Sequence, residues 1–128
     1  MALRVLIVDD SETTRRILRS LINSQFWEVC GEAENGWSGV KKFQELKPDV
    51  VVLDLGMPDI SGIEAAEWMS DSDPTVPLIL FTLLDTEGIE GAARRAGICA
   101  VVPKTEVWRL LISIENALRL GSNWLGHS

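Results

Sequence analysis

Five residues spread along the chain have the chemistry to work as one group: Asp9, Asp10, Asp54, Thr82 and Lys104. Asp9 and Asp10 stand directly after a run of four apolar residues, 5–8. Two carboxylates at the mouth of a buried segment repel each other and lose hydration, which lowers stability unless positive charge sits among them. A hard divalent cation such as Mg²⁺ prefers oxygen ligands and commonly takes one or two carboxylates together with water and phosphate. The carboxylates of Asp9, Asp10 and Asp54 against Mg²⁺ and the Lys104 ammonium sum to zero. A phosphoryl group on Asp54 would exchange one negative charge for about two, which the metal and the lysine still largely neutralise. Taken singly, each residue has an ordinary explanation: a turn or helix cap for an Asp, a strand position for Thr82, solvent for Lys104. Only their convergence carries meaning.

For the five to meet, the chain must bring distant segments to one edge. Apolar runs over 4–8 (RVLIV), 27–33, 49–55 (DVVVLDL), 77–82 (PLILFT) and 99–103 (CAVVP) read as strands, each followed by a helical pattern. Ser11 caps the first helix, with Ile17, Leu21 and Ile22 at helical spacing. The turn at Asn35-Gly36 opens a helix over WSGVKKFQEL that stops before Pro48. Further helices are expected over 61–70, around 86–96 and over 106–120. On the last, Val107, Leu111, Ile114 and Leu118 are expected to face the core, with Trp108 and Ile112 on a neighbouring flank. Strands without polar alternation are buried on both faces, which implies an α/β fold: a doubly wound parallel sheet with helices on either side. Ligands of such sheets bind beyond the carboxyl ends of the strands. There Asp9 and Asp10 end the first strand, Asp54 the third and Thr82 the fourth, while the fifth leads into Lys104.

The bulk numbers narrow the function class. The 128 residues, 46% hydrophobic, suffice for one domain with one core, here residues 1–121 with 122–128 as a tail. A net charge of −7, from 12 Lys and Arg against 19 Asp and Glu, argues against a phosphate-tracking nucleic-acid surface and against a polybasic membrane anchor. The N-terminal apolar run is too short for a span and lacks a signal peptide's cleavage site, so a cytoplasmic protein is expected. Cys30 and Cys99 read as buried thiols rather than a disulfide. Trp27, Trp37 and Trp68 read as packing residues, with Trp37, at a helix start, expected to be partly exposed. His127, the only histidine, lies in the tail and is given no phosphotransfer role.

The stretch DLGMPDISG is the most specific in the chain. Asp54, Met57-Pro58 and Gly62 reproduce a D-x-x-M-P-x-x-x-G pattern, and with Asp9-Asp10, Thr82 and Lys104 the chain resembles the receiver domain of two-component response regulators over about residues 3–120. The resemblance implies a flavodoxin-like sheet of five strands in the order 2-1-3-4-5 flanked by five helices. It implies that Asp54 is the phosphoacceptor, taking a phosphoryl group from a sensor histidine kinase or a phosphotransfer protein. It also implies that Asp10 ligates Mg²⁺ directly, that Asp9 acts mainly through water, and that the backbone carbonyl of Gly56 completes the protein's share. Lys104 and the Thr82 hydroxyl would bind phosphoryl oxygens. The downstream partner would be an effector protein or domain, with Trp108 and Ile112 as a contact patch and a homodimer as the alternative.

Three departures stand out. The lysine is followed by Thr105 where the family usually has a proline in a cis peptide. Val101 stands where an aromatic usually switches, and Leu83 follows the threonine where a small residue is common. The phosphate chemistry reads as intact and the switch as altered. Residues 91–121 resemble receivers that precede a helix-turn-helix module, which leaves the receiver part of a DNA-binding regulator as one alternative. A degenerate, phosphorylation-independent docking module is another. A metal-dependent phosphohydrolase would need an aspartate two residues after Asp54, where Gly56 stands, so no enzyme acting on other substrates is expected.

Overall fold

The computed structural model describes residues 2–84 and 87–120. In chain order the elements are β1 (Arg4–Val8), α1 (Glu12–Asn23), β2 (Glu28–Ala33), α2 (Gly36–Leu46), β3 (Val50–Leu53), α3 (Gly62–Ser72), β4 (Leu78–Thr82), α4 (Glu90–Arg95), β5 (Ile98–Pro103) and α5 (Val107–Leu120). The strands form one parallel sheet in the order β2-β1-β3-β4-β5, as the resemblance implied. Every residue of β3 and β4 is buried, the reason these segments read as unbroken apolar runs.

The two faces of the sheet sort the side chains by strand parity. Leu6, Val8, Val51, Leu53, Leu78 and Leu80 meet α2, α3 and α4 through Val40, Phe43, Ala66, Met69 and Ala93. Val5, Ile7, Val50, Val52, Ile79 and Phe81 meet α1 and α5 through Leu18, Ile22, Leu110 and Ile114. Hydroxyl and amide caps start the first three helices: Ser11, Asn35 and Ser61 each accept a hydrogen bond from the backbone N–H three residues on.

Two expectations needed correction. The fourth helix is shorter than the pattern around 86–96 suggested: it runs over Glu90–Arg95 with no side-chain cap, after a turn in which Gly88 has φ +87°. On α5 the core stripe is Leu110, Ile114 and Ala117; Leu118 is exposed and Leu111 only half-buried. Two stripes with the same helical period were available; Val107 and Ile114 of the expected one do pack on the core, but beside them it is Leu110 and small Ala117 that are buried. Trp108 and Ile112 stand outside it, 61% and 50% exposed. Cys99 is buried and Cys30 half-buried, with no disulfide between them. Gly121, Trp124 and His127 lie outside the described residues.

Gly62, the first residue of α3, sets how closely that helix seats against the end of β3. A β-carbon there would lie 2.1 Å from the Asp54 carbonyl oxygen. Gly62→Ala should therefore destabilise by about 2–3 kcal/mol through overpacking against backbone. Gly91→Ala, in α4 with only a flexible arginine tip 3.4 Å away, should stabilise by about 0.5–1 kcal/mol. Urea unfolding of the two variants checks both signs.

Candidate functional site at the carboxyl edge of the sheet

The pairing of β1 with β3 brings their ends side by side: Asp54 N–H donates to the Val8 carbonyl at 2.9 Å, and Asp9 N–H to the Ala33 carbonyl of β2 at 2.9 Å. Asp9 is buried, only 2% exposed. Its Oδ1 accepts the Ser11 N–H at 2.8 Å, and its Oδ2 faces Lys104 Nζ at 2.7 Å. Ser11 therefore serves twice, turning the chain after Asp9 and capping α1 through Thr14 N–H at 3.2 Å. The Asp9 carbonyl accepts from the Arg15 guanidinium at 2.7 Å. Arg15 lies 3.4 Å from Glu32, which Arg19 grips through two hydrogen bonds of 2.5 and 2.9 Å.

Asp54 is also nearly buried, at 8% exposure. Its Oδ1 accepts the Leu55 N–H at 2.8 Å and its Oδ2 lies 3.2 Å from Lys104 Nζ. Lys104 thus bridges Asp9 and Asp54. Its own N–H donates to the Thr82 carbonyl at 2.8 Å, so the pairing of β4 with β5 continues one step to deliver the ammonium. Thr82 is buried, with Oγ1 accepting the Leu84 N–H at 3.2 Å. Asp10 is exposed beside this group. The carboxylates of Asp9, Asp10 and Asp54 offer ligand oxygens that all lie within 4.8 Å of one another.

The electrostatics follow from burial. Desolvation pushes the Asp9 carboxyl above its ordinary 3.8, and the hydrogen bonds from Lys104 and Ser11 with the lysine's charge offset this only in part; Asp54 adds repulsion. Glu32 moves the other way, held low chiefly by its hydrogen bond with Arg19. The site is therefore short of positive charge, and three oxygen donors at this spacing suit a hard divalent cation such as Mg²⁺.

Residues 5–114 match the response regulator receiver domain family. This chain belongs to that family. Chemotaxis protein CheY of Listeria monocytogenes is 33% identical to the receiver domain over 118 residues, spanning 91% of this chain and 99% of its own. Among solved structures, the response regulator domain of Thermotoga maritima CheB superposes with a TM-score of 0.87 at 33% identity, over 94% of this chain and 98% of that one. A LuxR-family two-component response regulator from Aurantimonas sp. SI85-9A1 gives 0.88 at 29% identity, over 93% and 86%. Receiver domains are phosphorylation switches of two-component signalling, so the resemblance read from the sequence is borne out.

The receiver domain's sequence departures fall around this site. No peptide among the described residues is cis, Lys104-Thr105 included. Val101 is half-buried in β5 and paired in register with Leu80. Leu83 is largely exposed; it is Leu84 that reaches toward Gly56, its Cδ1 3.5 Å from where a glycine β-carbon would stand. Sequence reading missed the supports: Ser11 under Asp9, Arg15 on its carbonyl, and Asp59, whose carboxylate accepts the N–H groups of Gly36 and Trp37 at 2.8 Å each. The short Asp9-to-Ser11 spacing, an Asx-turn pattern, was the one readable signal.

A carboxyl raised in the folded state binds more protons there than in the unfolded chain. Its contribution to stability falls as pH rises from about 3.8 through the raised folded value, leaving ionised Asp9 unfavourable at neutral pH. Asp9→Asn should raise the melting temperature of the metal-free protein at pH 7 by a few degrees, corresponding to roughly 1 kcal/mol. The gap to wild type should close as pH falls below 3.8. Thermal melts in EDTA across that range make the comparison.

Proposed function

We propose that this receiver domain accepts a phosphoryl group on Asp54 and passes the signal on by protein contact. The observation that carries the reading is Lys104 bridging Asp9 and Asp54 within a three-carboxylate cluster. The donor is the phosphohistidine of a sensor histidine kinase or a phosphotransfer protein. An Asp54 carboxylate oxygen forms a bond to phosphorus as the phosphorus–nitrogen bond breaks, and the electron pair leaves with the imidazole. Asp9, Asp10, Asp54 and the Gly56 carbonyl would hold Mg²⁺, which would supply positive charge to the phosphoryl oxygens. Lys104, once freed from Asp54, pairs with another phosphoryl oxygen, and the Thr82 hydroxyl turns from the Leu84 N–H to donate to a third. The work is positioning and charge neutralisation, with little covalent chemistry for other side chains.

The chemistry stays on the chain's own Asp54, so the protein is a switch and no enzyme toward other substrates. Val101 has no ring to couple the movement of Thr82 to the α4, β5 and α5 side, so relay there rests on backbone and loop shifts. Trp108 and Ile112, exposed on α5, form the contact patch for an effector or a second copy. Among the described residues no helix is long and apolar enough to cross a membrane; a cytoplasmic setting fits the thiol cysteines and the kinase chemistry.

Incubation with phosphoramidate and Mg²⁺ followed by intact-mass analysis tests the reaction. One added phosphoryl group, labile to hydroxylamine, is expected in wild type and absent in Asp54→Asn; modification that persists in the variant refutes the assignment. Asp10→Asn should weaken Mg²⁺ binding at least tenfold, about 1.4 kcal/mol, read by tryptophan fluorescence or calorimetry, without lowering the metal-free melting temperature.

A further inference from the structure

Trp37, expected to be partly exposed at its helix start, is 46% exposed, and Trp68, read as a packing residue, is 50% exposed. They come from different helices, α2 and α3, and meet edge to face with ring centroids 5.4 Å apart at 61°. Single exposed apolar residues are common, but two adjoining indoles make a contiguous aromatic patch of the kind interfaces favour.

The helix that carries Trp68 is charged in one sense only. Glu64, Glu67 and Asp71 share its outer face with Trp68 at i, i+3, i+7 and i+4, and α3 contains no lysine or arginine. The four line a shallow concavity of about 220 Å³. Like charges at i, i+3 and i, i+4 destabilise a helix, and Asp71 near the carboxyl end opposes the helix dipole. Glu12 on α1 and Glu115 on α5 have a basic partner one turn on, in Arg16 and Arg119, whereas α3 has none to offer. Among the described residues none of the α3 trio forms an ion pair. Glu64, in the first turn, suits the helix dipole, but Glu67 and Asp71 stand without counter-charge next to two half-exposed indoles.

We propose that this face of α2 and α3 docks an arginine- or lysine-bearing segment of a partner protein. A guanidinium or ammonium over an indole gains cation–π attraction, tryptophan being the strongest acceptor, while the three carboxylates complete its charge pairing. Tryptophan and arginine are also the residues that concentrate binding energy at interfaces. The surface is separate from the Trp108–Ile112 flank of α5. It uses neither Lys104 nor the carboxylate cluster, so it stands or falls independently of phosphorylation at Asp54.

The test titrates the ¹⁵N-labelled protein with a helical alanine-rich peptide carrying arginines at i and i+4, and with the same peptide bearing glutamines there. Indole N–H signals are assigned through Trp37→Phe and Trp68→Phe. Saturable binding of the arginine peptide alone is expected, shifting the Trp37 and Trp68 indoles and weakening at least tenfold in Trp68→Ala. The charge variant Glu64→Gln/Glu67→Gln/Asp71→Asn, which leaves the indole packing in place, should lose binding to the same extent, and Asp54→Ala should bind like wild type. Absence of saturable binding overturns the proposal. So does binding that ignores both variants, since attraction to acidic charge elsewhere would then explain it. Concentration-dependent shifts of the two indoles without peptide, with a dimer in sedimentation, would also overturn it by making a second copy the occupant.

Discussion

Asp9, Asp10 and Asp54 crowd three carboxylates onto one edge of the sheet with a single ammonium among them, and this uncompensated charge is the constraint that the rest of the structure answers. Two unit charges about 4 Å apart interact by about 4 kcal/mol at an effective dielectric of 20. One lysine shared between Asp9 and Asp54 therefore leaves a large residual repulsion. Burial sharpens it, as the raised carboxyl of Asp9 records. A fold tolerates such a site only where many other contacts over-determine its backbone, and here they do. The sheet order sets β1 against β3 so that the carboxylates meet, and the β4–β5 pairing carries Lys104 to them.

Around that core of charge lies a layer of ordinary bonds. Ser11 and Arg15 fix the turn holding Asp9 and Asp10, Glu32 and Arg19 fix Arg15, and Gly62 lets α3 close onto the Asp54 carbonyl. Neutralising the cluster would weaken the hold of the two carboxylates on Lys104; beside it, the buried Thr82 hydroxyl accepts the Leu84 N–H. The loop that follows Asp54 also anchors the start of α2, through the Asp59 carboxylate on the N–H groups of Gly36 and Trp37.

The five strands were legible because all-apolar runs have few other readings, and the site was legible because its residues are polar exceptions at the ends of those runs. Asp9, Asp54 and Lys104 stood where the pattern placed them, brought together by Val8 pairing with Leu53 and Thr82 with Pro103. What the sequence hid depended on rotation and distance. The stripe Val107, Leu111, Ile114, Leu118 and the stripe Leu110, Ile114, Ala117 share a period, and only the seating of α5 separates them. Trp68 looked like packing because tryptophan is usually well buried; the patch it shares with the part-exposed Trp37 of a helix distant in sequence has no local signature. Arg15 was one of several basic residues on an amphipathic helix until the Asp9 carbonyl gave it a partner.

The most direct test of the account is fluorine NMR of beryllofluoride, a phosphoryl mimic, added to the protein with and without Mg²⁺. The account predicts bound fluorine resonances that require Mg²⁺ and vanish in Asp54→Ala, because the metal would supply the positive charge that the cluster lacks. Bound resonances that appear without Mg²⁺ or survive in Asp54→Ala, or no binding to a folded wild-type protein at all, would contradict it.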